Sequence, residues 1–278
     1  MRQRFALSNC ILTTLFLLLA LTPVRAQEPQ RVDVALVMAV DVSLSMSYEE
    51  MGIQRRGYAA AITSGEVMQA IRQGAHQRIA VTFFEWANNT YSREIMGWTV
   101  IESPEDAELI AAKLRTEHVR GERRTSISGG IYHAVEALEN MPFIAERKVI
   151  DVSGDGPNNQ GLPVTAARDE ALAKGITING LPLITTGGYG SQFNIPDLDE
   201  YYRRCVIGGP LSFMIPVNSW DQFPEAVRRK LVLEIGAVPD GILPEDRRVV
   251  PAQITFGKPY DCLVGEKLWR QRGFGLDR

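Results

Sequence analysis

Between residues 32 and 235, apolar runs of strand length alternate with segments of helical spacing. Val32–Val40 is almost continuously apolar and rich in Val, the pattern of a strand buried on both faces. Tyr48 to Gln73 follows with helical spacing and a break at Ser64-Gly65. Arg78–Trp86 predicts a second strand, and the Asn88-Asn89 turn signal pairs it antiparallel with a third over Tyr91–Ile101. Ser103-Pro104-Glu105-Asp106 opens a helix with an N-cap residue, a proline at its first position and acids in its first turn. Its Ala107, Ile110, Ala111 and Leu114 share one face. Another helix starts near Thr125-Ser126 and buries Ile127, Ile131, Val135 and Leu138. Then come a strand at Lys148–Ser153, a helix at Val164–Lys174 closed by Gly175, and a strand at Ile176–Leu183. A short helix at Asp197–Arg204, a strand at Ser212–Val217 and a helix at Trp220–Ile235 complete the alternation.

Such alternation predicts an α/β fold: a Rossmann-like, doubly wound, mostly parallel sheet with one antiparallel edge strand and helices on both faces. It spans residues 27–236. Residues 237–278 differ, with Pro239, Pro244, Pro251 and Pro259 spread among charges, and Val249–Phe256 as a candidate edge strand. They read as a C-terminal extension tied back to the domain.

Residues 1–26 read as a secretory signal peptide. Arg2 and Arg4 start it, Ile11–Leu21 is its apolar stretch, and Val24-Arg25-Ala26 is the expected cleavage site. The alternative is an uncleaved anchor, but a membrane span needs ~20 apolar residues. The expected location is the periplasm or the exterior, with no stable span after cleavage. Losing the leader removes Arg2, Arg4 and Arg25 and no acid, so the net charge moves from −3 to −6. The short basic pieces Arg123-Arg124 and Arg228-Arg229-Lys230 are interleaved with acids and read as solvated surface, so no nucleic-acid partner is expected. Cys10 leaves with the leader, and Cys205 with Cys262 suggests one disulfide in an exported chain.

In open parallel sheets, ligands bind beyond the carboxyl ends of the strands. There the sequence places Asp41-Val42-Ser43-Leu44-Ser45 after the first strand, Thr125 at a helix start, and Ser153-Gly154-Asp155-Gly156 after the fourth strand. Asp41, Ser43 and Ser45 alternate, so an extended segment can aim all three at one point. With Thr125 and Asp155 they make a hard oxygen set that suits Mg²⁺ or Mn²⁺ rather than zinc or copper. Two close carboxylates repel each other without a cation. Gly154 and Gly156 leave room for the backbone to bend around Asp155. Each fragment alone reads better as a helix cap; their conjunction reads as a metal site. Asn158 and Asn159 are candidates for a further ligand that closes it.

Asp41-x-Ser43-x-Ser45, Thr125 and Asp155 resemble the metal-ion-dependent adhesion site of the von Willebrand factor A (VWA) family, over roughly residues 32–236. Asp151–Asn159 and Tyr201-Tyr202-Arg203-Arg204-Cys205 are also similar to a bacterial family of exported VWA-like proteins without an assigned function. The resemblance implies that Ser43 and Ser45 bind the ion directly. Asp41 would bind directly or through water, Thr125 directly in one state, and Asp155 mostly through water. A protein partner would then supply an Asp or Glu to the open position, with no covalent step. The rival readings are a metal-dependent phosphoryl-transfer hydrolase and an envelope scaffold with a purely structural metal. Against the first, Ser43 stands where a phosphatase motif carries its second carboxylate. Ser126 and Ser128 lack a nucleophile elbow. His76, His118 and His133 are scattered and read as structural or surface residues. Gly187-Gly188-Tyr189-Gly190 lacks the following Lys of a phosphate loop and reads as a flexible loop.

Overall fold

The computed structural model describes residues 29–185, 194–236, 250–251 and 259–273. Arg31–Arg278 form one unit and Met1–Gln30 another. The fold is that of the first; the expected leader and the Gly187–Gly190 run lie outside the described residues. Seven strands build one sheet: β1 (Arg31–Asp41), β2 (Ile79–Trp86), β3 (Ser92–Ile101), β4 (Ile144–Gly154), β5 (Ile176–Pro182), β6 (Phe213–Met214) and β7 (Val250–Pro251). Their order is β3-β2-β1-β4-β5-β6-β7. The inner pairs are parallel, and β3 lies antiparallel to β2 at one edge, as expected. At the other edge β7 pairs antiparallel with β6 through two residues, within the expected edge segment 249–256.

The helices are α1 (Tyr48–Ile62), α2 (Gly65–Arg72), α3 (Pro104–Thr116), α4 (Ile127–Glu139), α5 (Val164–Ala173), α6 (Leu198–Tyr201), α7 (Phe223–Ile235) and α8 (Val264–Gly273). Local chemistry sets their starts. Ser47 with Glu50 and Ser103 with Asp106 form capping boxes, and the Ser64 hydroxyl accepts from Val67 N, which makes the expected break a fresh helix start. The alternation along β1 then sorts the layers. Val34, Leu36, Met38 and Val40 pack with residues of α1, α2, α3 and α7. Ala35, Val37 and Ala39 pack with residues of α4, α5 and α6 on the opposite face. Each buried Val or Leu stabilises the fold by roughly 1.5–3 kcal/mol relative to exposure.

Three departures from the sequence pattern have local causes. β6 is a two-residue ladder: Ile215 N and Val217 N still bond Gly180 O and Pro182 O of β5, but Pro182 has no N–H to return a bond to β6. The helix expected to reach Arg204 changes after Tyr201 into a π-helical turn, Tyr202–Val206, with Ile207 N donating to Tyr202 O at 3.0 Å. The extension holds a helix, α8, whose short polar run gives no clear periodic signal. Cys205 and Cys262 are disulfide-bonded with Cα atoms 5.6 Å apart, which ties α8 to that turn.

β1 sits between β2 and β4, so the chain leaves it in opposite directions. That is a topological switch point, and it opens a crevice at the carboxyl ends of β1 and β4. Asp41 ends β1 and Asp155 follows Gly154, the end of β4.

Candidate metal centre

A chain of short hydrogen bonds links four of the five expected ligands. Ser43 N donates to Asp41 Oδ1 at 2.7 Å. The hydroxyls of Ser43 and Ser45 lie 2.9 Å apart, and Ser45 Oγ donates to Asp155 Oδ1 at 2.7 Å. Asp41, Ser43 and Asp155 are buried, while Ser45 is half-buried and Leu44 beside it is 41% exposed. Gln54 of α1 steadies the strand end, its Nε2 donating to Asp41 O at 3.1 Å.

Thr125 arrives on the segment before α4. Leu44 N donates to Glu122 O and Glu122 N to Val42 O, which lays that segment beside the Ser43 loop. Thr125 is buried, but no hydrogen bond among the described residues joins its hydroxyl to the other four. Its backbone is tied instead to the Asp155 loop: Thr125 N donates to Asn159 Oδ1 at 3.0 Å, and Asn159 N donates to Thr125 O at 2.8 Å. Asn158 Oδ1 accepts from Ser128 N at 3.0 Å. Both asparagine side-chain oxygens considered as closing ligands therefore serve to join two loops.

The electrostatics fit a divalent cation at this site. Burial, and next the charge of Asp155, push the Asp41 carboxyl well above the usual carboxylate range, against hydrogen bonds from Ser43. Burial lifts Asp155 to about 6, with Glu50 adding repulsion and the Ser45 hydroxyl opposing it. Asp41 Oδ2 is buried with no hydrogen-bond partner among the described residues, a costly condition for a charged oxygen. No Lys, Arg or His among the described residues forms an ion pair with either carboxylate. No group of three or more His, Cys, Asp or Glu gathers among the described residues to hold a metal, here or elsewhere. Two carboxylates with serine hydroxyls make a donor set for a hard divalent ion.

Tyr202 is a neighbour that sequence patterning did not single out as a site residue. Its ring is buried and its hydroxyl has no hydrogen-bond partner among the described residues. Burial, and then the Asp41 charge, hold the phenol in its neutral form. A Cβ on Gly154 would come within 2.9 Å of Tyr202 Oη and 3.0 Å of Asp41 Oδ2, so glycine is what lets both approach the strand end. Gly156 has open space around it and faces no such demand. The available signal was the Tyr201-Tyr202 pair beside Cys205. The histidines stay structural where contacts are seen: His76 pairs with Glu146, and His133 stacks edge-on against Phe84.

Solved structures with this fold include a pilus adhesin, SpaC, from Lactobacillus rhamnosus GG, at 12% identity and a TM-score of 0.53, covering 75% of this chain and 31% of that one. The PilB minor pilin from Streptococcus sanguinis aligns at 13% identity and a TM-score of 0.52, over 78% of this chain and 65% of that one. A von Willebrand factor type A protein from Catenulispora acidiphila aligns at 13% identity and a TM-score of 0.50, over 80% and 55%. This chain thus spans less than two thirds of each solved chain, and at these identities the likeness is one of fold. No curated protein matches. No helix among the described residues is long and apolar enough to cross a membrane. The sheet order and these neighbours give a VWA-like fold, and the family model that matches residues 31–239 gives the membership: the chain belongs to the family described as protein of unknown function (DUF1194).

Proposed function

We propose that this is an exported, non-enzymatic binding protein that captures an acidic partner through a divalent cation at the Asp41–Asp155 crevice. The observation that carries this reading is the pair of buried carboxylates, bridged by serine hydroxyls, with an orphaned oxygen on Asp41 and no cationic side chain paired with them among the described residues. Mg²⁺ or Mn²⁺ would be held by Ser43, Ser45, Asp41, Asp155 and Thr125, and would supply a Lewis-acidic position for a carboxylate from outside. The chain's own part is to hold its oxygens ready. Asp41 is fixed by Ser43 N and Gln54, and Asp155 by Ser45. The half-buried Ser45 beside exposed Leu44 supports a site that a protein surface can reach, rather than a closed structural ion.

Export is supported by the leader pattern and by the Cys205–Cys262 disulfide, since such bonds persist in oxidising compartments. Two fold neighbours, a pilus adhesin and a minor pilin, support a surface-binding role. The test is capture of partners by the mature chain, in Mg²⁺ and in EDTA, for wild type and Asp41→Ala. A partner with exposed Asp or Glu that is lost in both controls supports the reading. A partner retained in both, or hydrolysis of generic phosphate esters that requires Mg²⁺ and Asp41, overturns it.

A further inference from the structure

The C-terminal helix α8 lies beyond the family-matched segment, yet it touches both loops that carry ligands to the crevice. Asn158, three residues after Asp155, donates through Nδ2 to Glu266 Oε1 of α8 at 2.7 Å. The same amide group donates to Leu162 O, and Asn158 N donates to Tyr201 Oη. Gly265 packs against the Asn158 carbonyl so closely that a Cβ there would sit 2.1 Å from the oxygen. On the other loop, the Arg124 guanidinium, next to Thr125, lies 4.4 Å from the centroid of the Trp269 ring of α8. Arg124 adopts a left-handed backbone, φ 75°, unusual for a residue other than glycine. Such strain needs surroundings that hold it.

The start of α8 is anchored to the turn behind the crevice. Cys262 bonds Cys205, Tyr260 Oη donates to Asp197 Oδ2 at 2.9 Å, and the rings of Tyr260 and Tyr201 meet edge to face. The π-helical turn that carries Cys205 also carries Tyr202, whose hydroxyl lies near Asp41 Oδ2 across Gly154. π-turns recur at functional sites because they re-aim side chains within a helix.

We infer that α8 is a positioning element of the crevice: stapled by Cys205–Cys262, it holds the Asp155 loop through Glu266–Asn158 and the Thr125 loop through Trp269–Arg124. Glu266 and Trp269 act through Asn158 and Arg124, not on the ion. The effect on cation affinity rests on the metal reading proposed above; the bracing of the loops does not. Outer-shell partners of a metal site commonly change its affinity by 10–100-fold when removed.

The experiment uses the mature chain and two readouts. The first is backbone hydrogen exchange over residues 122–126 and 155–162 without metal, and the second is Mn²⁺ affinity by calorimetry. Glu266→Ala is expected to speed exchange in 155–162 and weaken Mn²⁺ about 10-fold, while Glu266→Gln, which keeps an acceptor for Asn158, stays near wild type. Trp269→Ala is expected to speed exchange in 122–126. Cys205→Ser with Cys262→Ser is expected to loosen both loops; should that variant fail to fold, the single substitutions on α8 decide. Wild-type protection of both loops in Glu266→Ala and Trp269→Ala overturns the inference. If wild type takes up no Mn²⁺, the metal reading fails, and exchange alone decides whether α8 is a brace.

Discussion

Two pairs of buried acids flank the same strand, β4, and they are treated differently. Asp151 and Glu234 share a fully buried cation of the chain's own: Lys230 Nζ lies 2.6 Å from Asp151 Oδ1 and also bonds Glu234. Tyr58 and Asn179 complete that cluster by donating to Asp151 Oδ2 and Glu234 Oε1. Burial still lifts Glu234 to about 7, with Lys230 opposing the rise. A few residues on, Asp41 and Asp155 have only serine hydroxyls and backbone N–H groups between them. Where acids serve the core, the fold supplies the countercharge. At the crevice it supplies none among the described residues, so a proton or a cation from solvent must do so.

The largest effect expected is at the inner pair. Lys230→Met strands two buried acids and should cost roughly 3–5 kcal/mol of stability in urea unfolding, with no recovery on adding Mg²⁺. Recovery by Mg²⁺ would erase the distinction between the pairs. Next comes pH dependence at the crevice. Folded Asp155 holds its proton to about pH 6, against 3.8 for the ordinary carboxyl. Its favourable contribution is complete below the ordinary value and is lost as pH rises through about 6, on the order of 3 kcal/mol in all. A bound cation replaces that proton. The rise in Tm caused by Mg²⁺ should therefore be largest near pH 8 and fade below pH 6; a rise independent of pH would break the comparison. Glu234 titrates in the same direction with or without Mg²⁺, so the difference between the two melting curves isolates the crevice. The smallest effect is at Ser45. Ser45→Ala should weaken Mn²⁺ binding about 10-fold, near 1.4 kcal/mol, and leave metal-free stability within about 1 kcal/mol.

Much of this was legible in the sequence, for identifiable reasons. The Val-rich run of β1 and the serine caps at Ser47 and Ser103 are strong local signals, so the parallel sheet and its helices follow from them. The positions of Asp41, Ser43, Ser45, Thr125 and Asp155 at strand and helix ends follow from the same elements. Less local features were hidden. The sequence alone does not say whether Asn158 or Asn159 reaches the site, because an amide oxygen is equally suited to a metal and to a backbone N–H. Tyr202 reads as an ordinary core aromatic until Gly154 and Asp41 are seen beside it. Helix α8 is short and polar, with its partners 57 to 145 residues away in the Cys205–Cys262 and Arg124–Trp269 contacts, beyond the reach of periodicity. Pro182 does carry a warning against a long ladder to the last strand, since it cannot donate to one.

The central claim is that the crevice acids await a cation, and Mn²⁺ titration of wild type beside Asp41→Asn tests it most directly. One Mn²⁺ per wild-type chain is expected and none for Asp41→Asn, with the variant folded and melting above metal-free wild type because a buried amide needs neither a proton nor a cation. No uptake by wild type, or equal uptake by both proteins, would contradict it.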